Sequence, residues 1–147
     1  MPITARSAHN TRRLLELFAE LDVRATMFVL GKFAKAFPEI VREIDSAGHE
    51  VACHGWGHVE IFAQTREEFA ADVSHSKDLL EQLTGRPVRG YRAPDFSIVG
   101  RTLWALEILA ELGFRYDSSI FPVRHPRYGI PDWPTNPLEV RLGNGGI

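Results

Sequence analysis

Three short stretches of this chain share one form, and that form limits the folds open to it. In Ala47-Gly48-His49-Glu50-Val51, Thr84-Gly85-Arg86-Pro87-Val88 and Leu112-Gly113-Phe114-Arg115-Tyr116, a helix-like segment closes on glycine and a strand-like run follows within a few residues. Glycine is the residue that most readily takes the left-handed conformation ending a helix. Helix and strand alternating through such junctions predict a parallel sheet with helical crossovers, the α/β class.

The segments between the junctions carry the matching periodicities. Residues 7–22 have Leu14, Leu15, Phe18 and Leu21 at helical spacing, with Arg12, Arg13, Glu16 and Glu20 on the other face and Ser7 or Asn10 as candidate caps. Ala25 to Leu30 is an apolar run of strand length ending at Gly31. Pro38 to Ala47 reads as a helix with Pro at its first turn and Ile40, Val41 and Ile44 inward. Glu50 to Cys53 is the next strand. Thr65-Arg66-Glu67-Glu68 is a capping box for a helix to about Thr84, with Phe69, Val73, Leu80 and Leu83 on one face. Val88 to Tyr91, Arg101 to Leu112 and Phe114 to Asp117 complete the pattern as strand, helix and strand. From 122 to 147, five prolines and a glycine-rich end predict a loop-like tail. A domain that closes this way reads as cut short.

Composition excludes several classes. Charged residues make up 24% and the formal net charge is −2, so no basic field suits nucleic acid. No apolar run reaches the length of a membrane span, and Met1 to Asn10 lacks a secretory signal core. The location expected is cytoplasmic or cell-envelope associated. Cys53 is the single cysteine, which rules out intrachain disulfides and a cysteine zinc site.

Active sites of parallel α/β folds collect at the carboxyl ends of the strands. Here three successive strands deliver His54 and His58, then Arg92 and Asp95, then Asp117, Ser118 and Ser119. The imidazoles of His54 and His58 suit a divalent metal such as zinc, with Gly55 and Gly57 letting both rings aim inward; two unrelated loop histidines are the alternative. Arg92 is either a surface arginine or a guanidinium that orients a carboxylate. Pro94 fixes its turn. Asp95 is a ligand, a partner of Arg92 or a cap, and Asp117 can cap a turn with Ser118 and Ser119. Trp56 and Trp133 are candidates to stack on sugar rings, whereas Trp104 falls on a core face. His9 and His75 read as solvent-facing, His49 as structural, and His125 as a possible groove residue.

In order, these motifs resemble the NodB-type polysaccharide deacetylases over roughly residues 10–125. Ala25 to Gly31 is similar to the family's Ala-Thr-Phe-Phe-x-x-Gly strand, Gly48 to His54 to its Gly-His-Glu run, His54 and His58 to its metal-binding His-[Ser/Thr]-x-x-His, and Arg92-Ala93-Pro94 to its Arg-x-Pro motif. Tyr116 to Ser119 is similar to the fourth motif. The Gly55-Trp56-Gly57 filling and Asp117 to Pro122 look most like the members associated with exosortase (PEP-CTERM) exopolysaccharide clusters. The resemblance implies a distorted (β/α) barrel that hydrolyses N-acetyl groups of polysaccharides or oligosaccharides with a divalent metal, usually zinc. It implies His54 and His58 as ligands, Arg92 as the residue orienting a base, and the Asp95 N–H as an oxyanion donor. Trp56, Pro94, Asp117 and Ser118 would line the substrate groove.

The chain departs from the family at both ends. No Asp-Asp run precedes Ser7, so the base and third ligand are not found, and no Leu-x-His motif follows to supply the acid. The expectation is a single truncated NodB-homology domain over 1–147, a fragment of a deacetylase with weak or no activity. The alternatives are a non-catalytic carbohydrate-binding pseudoenzyme, or a hydrolase taking Asp95 or Asp117 as third ligand.

Overall fold

The computed structural model describes residues 3–142. The helices are α1 (Ala5–Glu20), α2 (Gly31–Ala36), α3 (Pro38–Ser46), α4 (Arg66–Thr84) and α5 (Trp104–Glu111). The strands are β1 (Thr26–Val29), β2 (Glu50–Cys53), β3 (Gly90–Tyr91) and β4 (Tyr116–Asp117). All four strands are parallel and lie in the order β1-β2-β3-β4. This is the α/β architecture expected from the junctions, a parallel sheet with flanking helices that fits a distorted deacetylase barrel. Gly48, Gly85 and Gly113 all have positive φ, so each junction turns as its glycine predicts.

Helix α4 organises one face. It packs against β2 and against α2, α3 and α5. Phe69, Val73 and Leu80 are fully buried along it, and the Phe69 ring meets Tyr91 of β3 edge-on at 5.8 Å. Its start is the capping box read from sequence: Glu68 N donates to Thr65 Oγ1 at 3.1 Å and Thr65 N to Glu68 Oε2 at 2.8 Å. Burial pushes the Cys53 thiol up to about 12, so this cysteine is a packing residue and not a nucleophile. No helix among the described residues is long and apolar enough to cross a membrane.

Several boundaries differ from the sequence reading. The first helix begins two residues earlier than Ser7, with Thr4 at its N-cap, and neither Ser7 nor Asn10 caps it. The strands over 88–91 and 114–117 are each reduced to two residues. A 3₁₀ turn at Gly100–Thr102 precedes α5, where a continuous helix from Arg101 was expected. Helix α2 was not foreseen. It starts on Gly31, where a Cβ would fall inside the Trp56 ring, so glycine at this point reflects close packing as well as a strand end. Residues 122–142 contain no helix or strand, as the prolines predict, and the last part of the tail, 143–147, lies outside the described residues.

Candidate functional site

Sheet register builds the site. Val29 pairs with Cys53, Cys53 with Tyr91, and Tyr91 with Asp117, forming one cross-strand row. The ladder continues one residue further. His54 N donates to Val29 O at 3.0 Å, Arg92 N to Cys53 O at 3.0 Å and Ser118 N to Tyr91 O at 2.9 Å. Successive strand residues point to opposite faces. Tyr91 meets Phe69 on the α4 side, so the next row, His54-Arg92-Ser118, faces the other way. Phe28 shares that face, and the Arg92 guanidinium lies over its ring at 4.3 Å.

His54 is held in one tautomer. Its Nδ1 lies 2.7 Å from Arg92 O, and a carbonyl only accepts, so Nδ1 carries the proton and Nε2 keeps its lone pair. Burial lowers its pKa, keeping the ring neutral. His58 stands beside it, the ring centroids 5.1 Å apart and nearly perpendicular. To reach that place His58 adopts a left-handed backbone, φ 61°. The loop between them is pinned from below. Gly31 N donates to Gly55 O at 2.9 Å, Lys32 N to Trp56 O at 3.0 Å, and Trp56 N to Asp72 Oδ2 of α4 at 2.6 Å.

Arg92 donates from Nε to Ser118 O at 3.0 Å and from Nη2 to Ser118 Oγ at 2.6 Å. The turn after it is clamped by the next serine, since Ala93 N donates to Ser119 Oγ at 2.8 Å. Ser119 in turn donates its hydroxyl to Asp117 Oδ1, and its N–H to Asp117 Oδ2 at 3.0 Å. Burial pushes the Asp117 carboxyl up to about 6 against these hydrogen bonds and the Arg92 charge. Asp117 thus caps the turn with Ser118 and Ser119, one of the readings the sequence offered.

A pocket of about 430 Å³ opens here, lined by His54, Arg92, Ala93, Asp95, Phe96, His125, Arg127 and Tyr128. The loop 121–130 forms its outer wall and folds back on itself through Ile130 N to Phe121 O at 3.0 Å. The His125 and Tyr128 rings stack at 3.8 Å, and Phe96 lies 5.7 Å from Tyr128. Arg127 bridges Glu60 at 3.0 Å and stands 3.9 Å from Asp95.

Of the residues singled out in the sequence, His54, Arg92 and Asp95 line this pocket, and His58 adjoins His54. Pro94 is buried beneath the turn. Trp56 packs on Gly31 and His75, with ring centroids 4.1 Å apart for the latter pair. Asp117 and Ser118 line a neighbouring cavity of about 500 Å³ that also includes Trp133. His49 is buried and accepts from Ala25 N at 3.2 Å, a structural role. Arg127, Tyr128 and the anchor Asp72 carried no sequence signal, whereas His125 was a candidate groove residue.

The donor set does not fit a catalytic zinc, which takes three protein ligands. Among the described residues no three His, Cys, Asp or Glu side chains converge as a metal cluster. Asp117 is turned to Ser119 and Asp95 to Arg127, so the expectation that either completes a ligand set with His54 and His58 is corrected.

Comparison with known proteins fits the geometry. Residues 3–116 match the family model described as polysaccharide deacetylase. The chain belongs to the polysaccharide deacetylase family. It is 36% identical over 110 residues to a peptidoglycan deacetylase of Helicobacter pylori, covering 74% of this chain and 36% of that protein. It is 30% identical over 98 residues to a peptidoglycan-N-acetylglucosamine deacetylase of Bacillus cereus, covering 66% and 36%. The chain therefore spans little more than a third of the length of these relatives. Among solved structures, a Mycobacterium smegmatis protein classed with the polysaccharide deacetylases superposes with TM-score 0.74 at 32% identity, covering 92% of this chain and 43% of that one. A pseudoenzyme of the CE4 family from Bacillus anthracis shares the fold, with TM-score 0.69 at 22% identity, covering 78% and 40%.

Proposed function

We propose that this chain is a saccharide-binding member of the deacetylase family, which holds N-acetylated sugar polymers in the His54–Arg92–Tyr128 pocket without completing hydrolysis. The observation that carries the reading is the donor set. Two imidazoles stand together, and no carboxylate completes a metal-holding cluster with them among the described residues. Amide hydrolysis needs a base for the attacking water, a stabiliser for the oxyanion and an acid for the departing amine. His54 Nε2 accepts a proton or a hydrogen bond, and the arginine beside it donates. Asp95 of the same pocket faces Arg127, and His125 is stacked on Tyr128, so each already has a partner other than His54. What remains is recognition: acceptor, donor and aromatic wall for the hydroxyls, acetamide and C–H face of a pyranose.

A second reading is metal-dependent deacetylation of a cell-envelope or exopolysaccharide amino sugar. The adjacency of His54 and His58 favours it, as does the small share of its relatives that the chain spans. His54 and His58 would then be two ligands of a divalent ion, zinc being expected, with the third ligand and the base supplied from outside these residues. The Gly55-Trp56-Gly57 filling supports placing the protein with the exosortase-associated members.

The two readings separate in one experiment. The protein is titrated with an N-acetylglucosamine tetramer by calorimetry, and acetate release is followed with and without added zinc. Binding without acetate release is expected. Zinc-dependent release that is lost in His54→Ala would overturn the binding reading in favour of the second.

A further inference from the structure

The two histidines of the pair are held in different ways. His54 belongs to the sheet ladder, its N–H donating to Val29 O at 3.0 Å, and its ring is tied to Arg92 O at 2.7 Å. His58 lies past the end of β2, so the turn over 55–57 carries it to its place beside His54, where it takes a left-handed backbone with φ 61°. The precision of a side chain is set by what holds its backbone. The partners of that turn therefore decide how the two imidazoles face one another.

The turn is fastened to the helices at three points. Two are N–H groups that open α2: Gly31 N donates to Gly55 O at 2.9 Å and Lys32 N to Trp56 O at 3.0 Å. First-turn amides lack an intrahelical acceptor, so they serve any carbonyl brought to them. The third is a side chain. Trp56 N donates to Asp72 Oδ2 at 2.6 Å, a short bond to a carboxylate of α4. Asp72 is itself firmly seated, between the fully buried Phe69 and Ser76, with the Ser76 hydroxyl donating to Asp72 O at 2.8 Å. His75 follows three residues later on α4 and stacks on the Trp56 ring at 4.1 Å, so the helix grips both the backbone and the ring of one residue. Gly55 completes the arrangement. It has φ 74°, and a Cβ there would stand 3.1 Å from Asp72 Oδ2 and push the carboxylate back. Glycine where the His-[Ser/Thr]-x-x-His pattern has a hydroxyl residue thus goes together with the aspartate on α4.

We propose that Asp72 is a positioning residue for the histidine pair: by holding the Trp56 N–H it fixes the turn that sets His58 against His54. Asp72 lines no part of the pocket. It acts from the α4 side of the sheet, while His54 faces the other way, and its influence crosses through the backbone of the turn. The role is the same whether the pair receives a saccharide or a metal ion, so it stands apart from the choice between those two readings.

The test is nuclear magnetic resonance on the intact chain with labelled histidine, the rings being assigned from His54→Gln and His58→Gln. Two signals are read. Nuclear Overhauser cross peaks between the His54 and His58 rings report their adjacency, and the His54 Nδ1–H signal reports the bond to Arg92 O. Asp72→Ala should lose the ring-to-ring cross peaks and keep the Nδ1–H signal, because only the turn has lost its anchor. Asp72→Asn keeps a carbonyl oxygen for the Trp56 N–H and should retain both. Thr65→Ala weakens the start of the same helix and should also retain both. Ring-to-ring cross peaks undiminished in Asp72→Ala overturn the proposal. Loss of both signals together in Asp72→Ala, or loss of the cross peaks in Thr65→Ala as well, shows a general loosening of α4 and overturns it too. If Asp72→Ala does not fold, Asp72→Glu decides: its longer arm displaces the acceptor, so selective weakening of the cross peaks upholds the role and unchanged cross peaks refute it.

Discussion

Asp117→Asn isolates one carboxyl whose burial works against its charge. Asp117 sits beneath the Arg92-Ala93-Pro94 turn, accepting from the N–H and hydroxyl of Ser119, and desolvation raises its pKa to about 6. A carboxyl of an unfolded chain titrates near 3.9. The folded state therefore binds this proton more tightly than the unfolded state. Between the two values the folded chain retains a proton that the unfolded chain has released, so stability falls as pH rises through that window. A separation of about two pH units corresponds to about 3 kcal/mol, lost progressively from about pH 4 to pH 6. Asparagine can still accept from Ser119 but does not titrate. The unfolding free energy of Asp117→Asn minus that of wild type should shift by about 3 kcal/mol in favour of the variant from pH 4 to pH 7. The assay is urea unfolding followed by circular dichroism at half-unit pH steps, read as a difference so that other carboxylates cancel. A constant lost hydrogen bond offsets the whole curve without bending it. A flat difference would refute the reasoning, and one of opposite slope would mean that Arg92 controls this carboxyl more than burial does.

Three further outcomes follow from the packing. Gly31→Ala forces the Trp56 ring off the start of α2, so it should cost about 1–3 kcal/mol and weaken saccharide binding, with a shift in tryptophan emission reporting the displacement. Phe69→Ala removes the ring that joins α4 to Tyr91 and Trp104 and should cost about 3–5 kcal/mol in thermal or urea unfolding. Thr65→Ala breaks the capping box at an exposed position and should cost about 1 kcal/mol, leaving ligand affinity unchanged in the same titration.

The parallel sheet with its helical crossovers and the strand ends that carry polar residues were legible because they depend on local signals. Glycine closes each helix, short apolar runs follow, and the residue after each run is His54, Arg92 or Ser118. Helix α2 was hidden because its first residue, Gly31, reads as a strand stop, and its reason lies in Trp56, 25 positions away. The clamp from Ser119 to Ala93 and the anchor from Asp72 to Trp56 connect a hydroxyl or carboxylate to a distant backbone N–H. Neither leaves a spacing in the sequence. The same holds for Arg127 and Tyr128, which reach the pocket only because the loop 121–130 folds back. The His54/His58 pair was legible as a pair, and the structure brings it together. What surrounds it decides what the pair can do, and that surrounding is tertiary.

The row His54-Arg92-Ser118 works as a ruler. Neighbouring strands are held about 4.8 Å apart by backbone hydrogen bonds that do not depend on which side chains they carry. Imidazole, guanidinium and hydroxyl are therefore set at a fixed pitch, one mark per strand. Exchanging one side chain leaves the backbone pitch of the other two strands unchanged. Slipping one strand by a single residue would instead turn its mark to the α4 side and erase it. Selection acting on such a site can change the chemistry at each mark while the spacing between the marks stays the same.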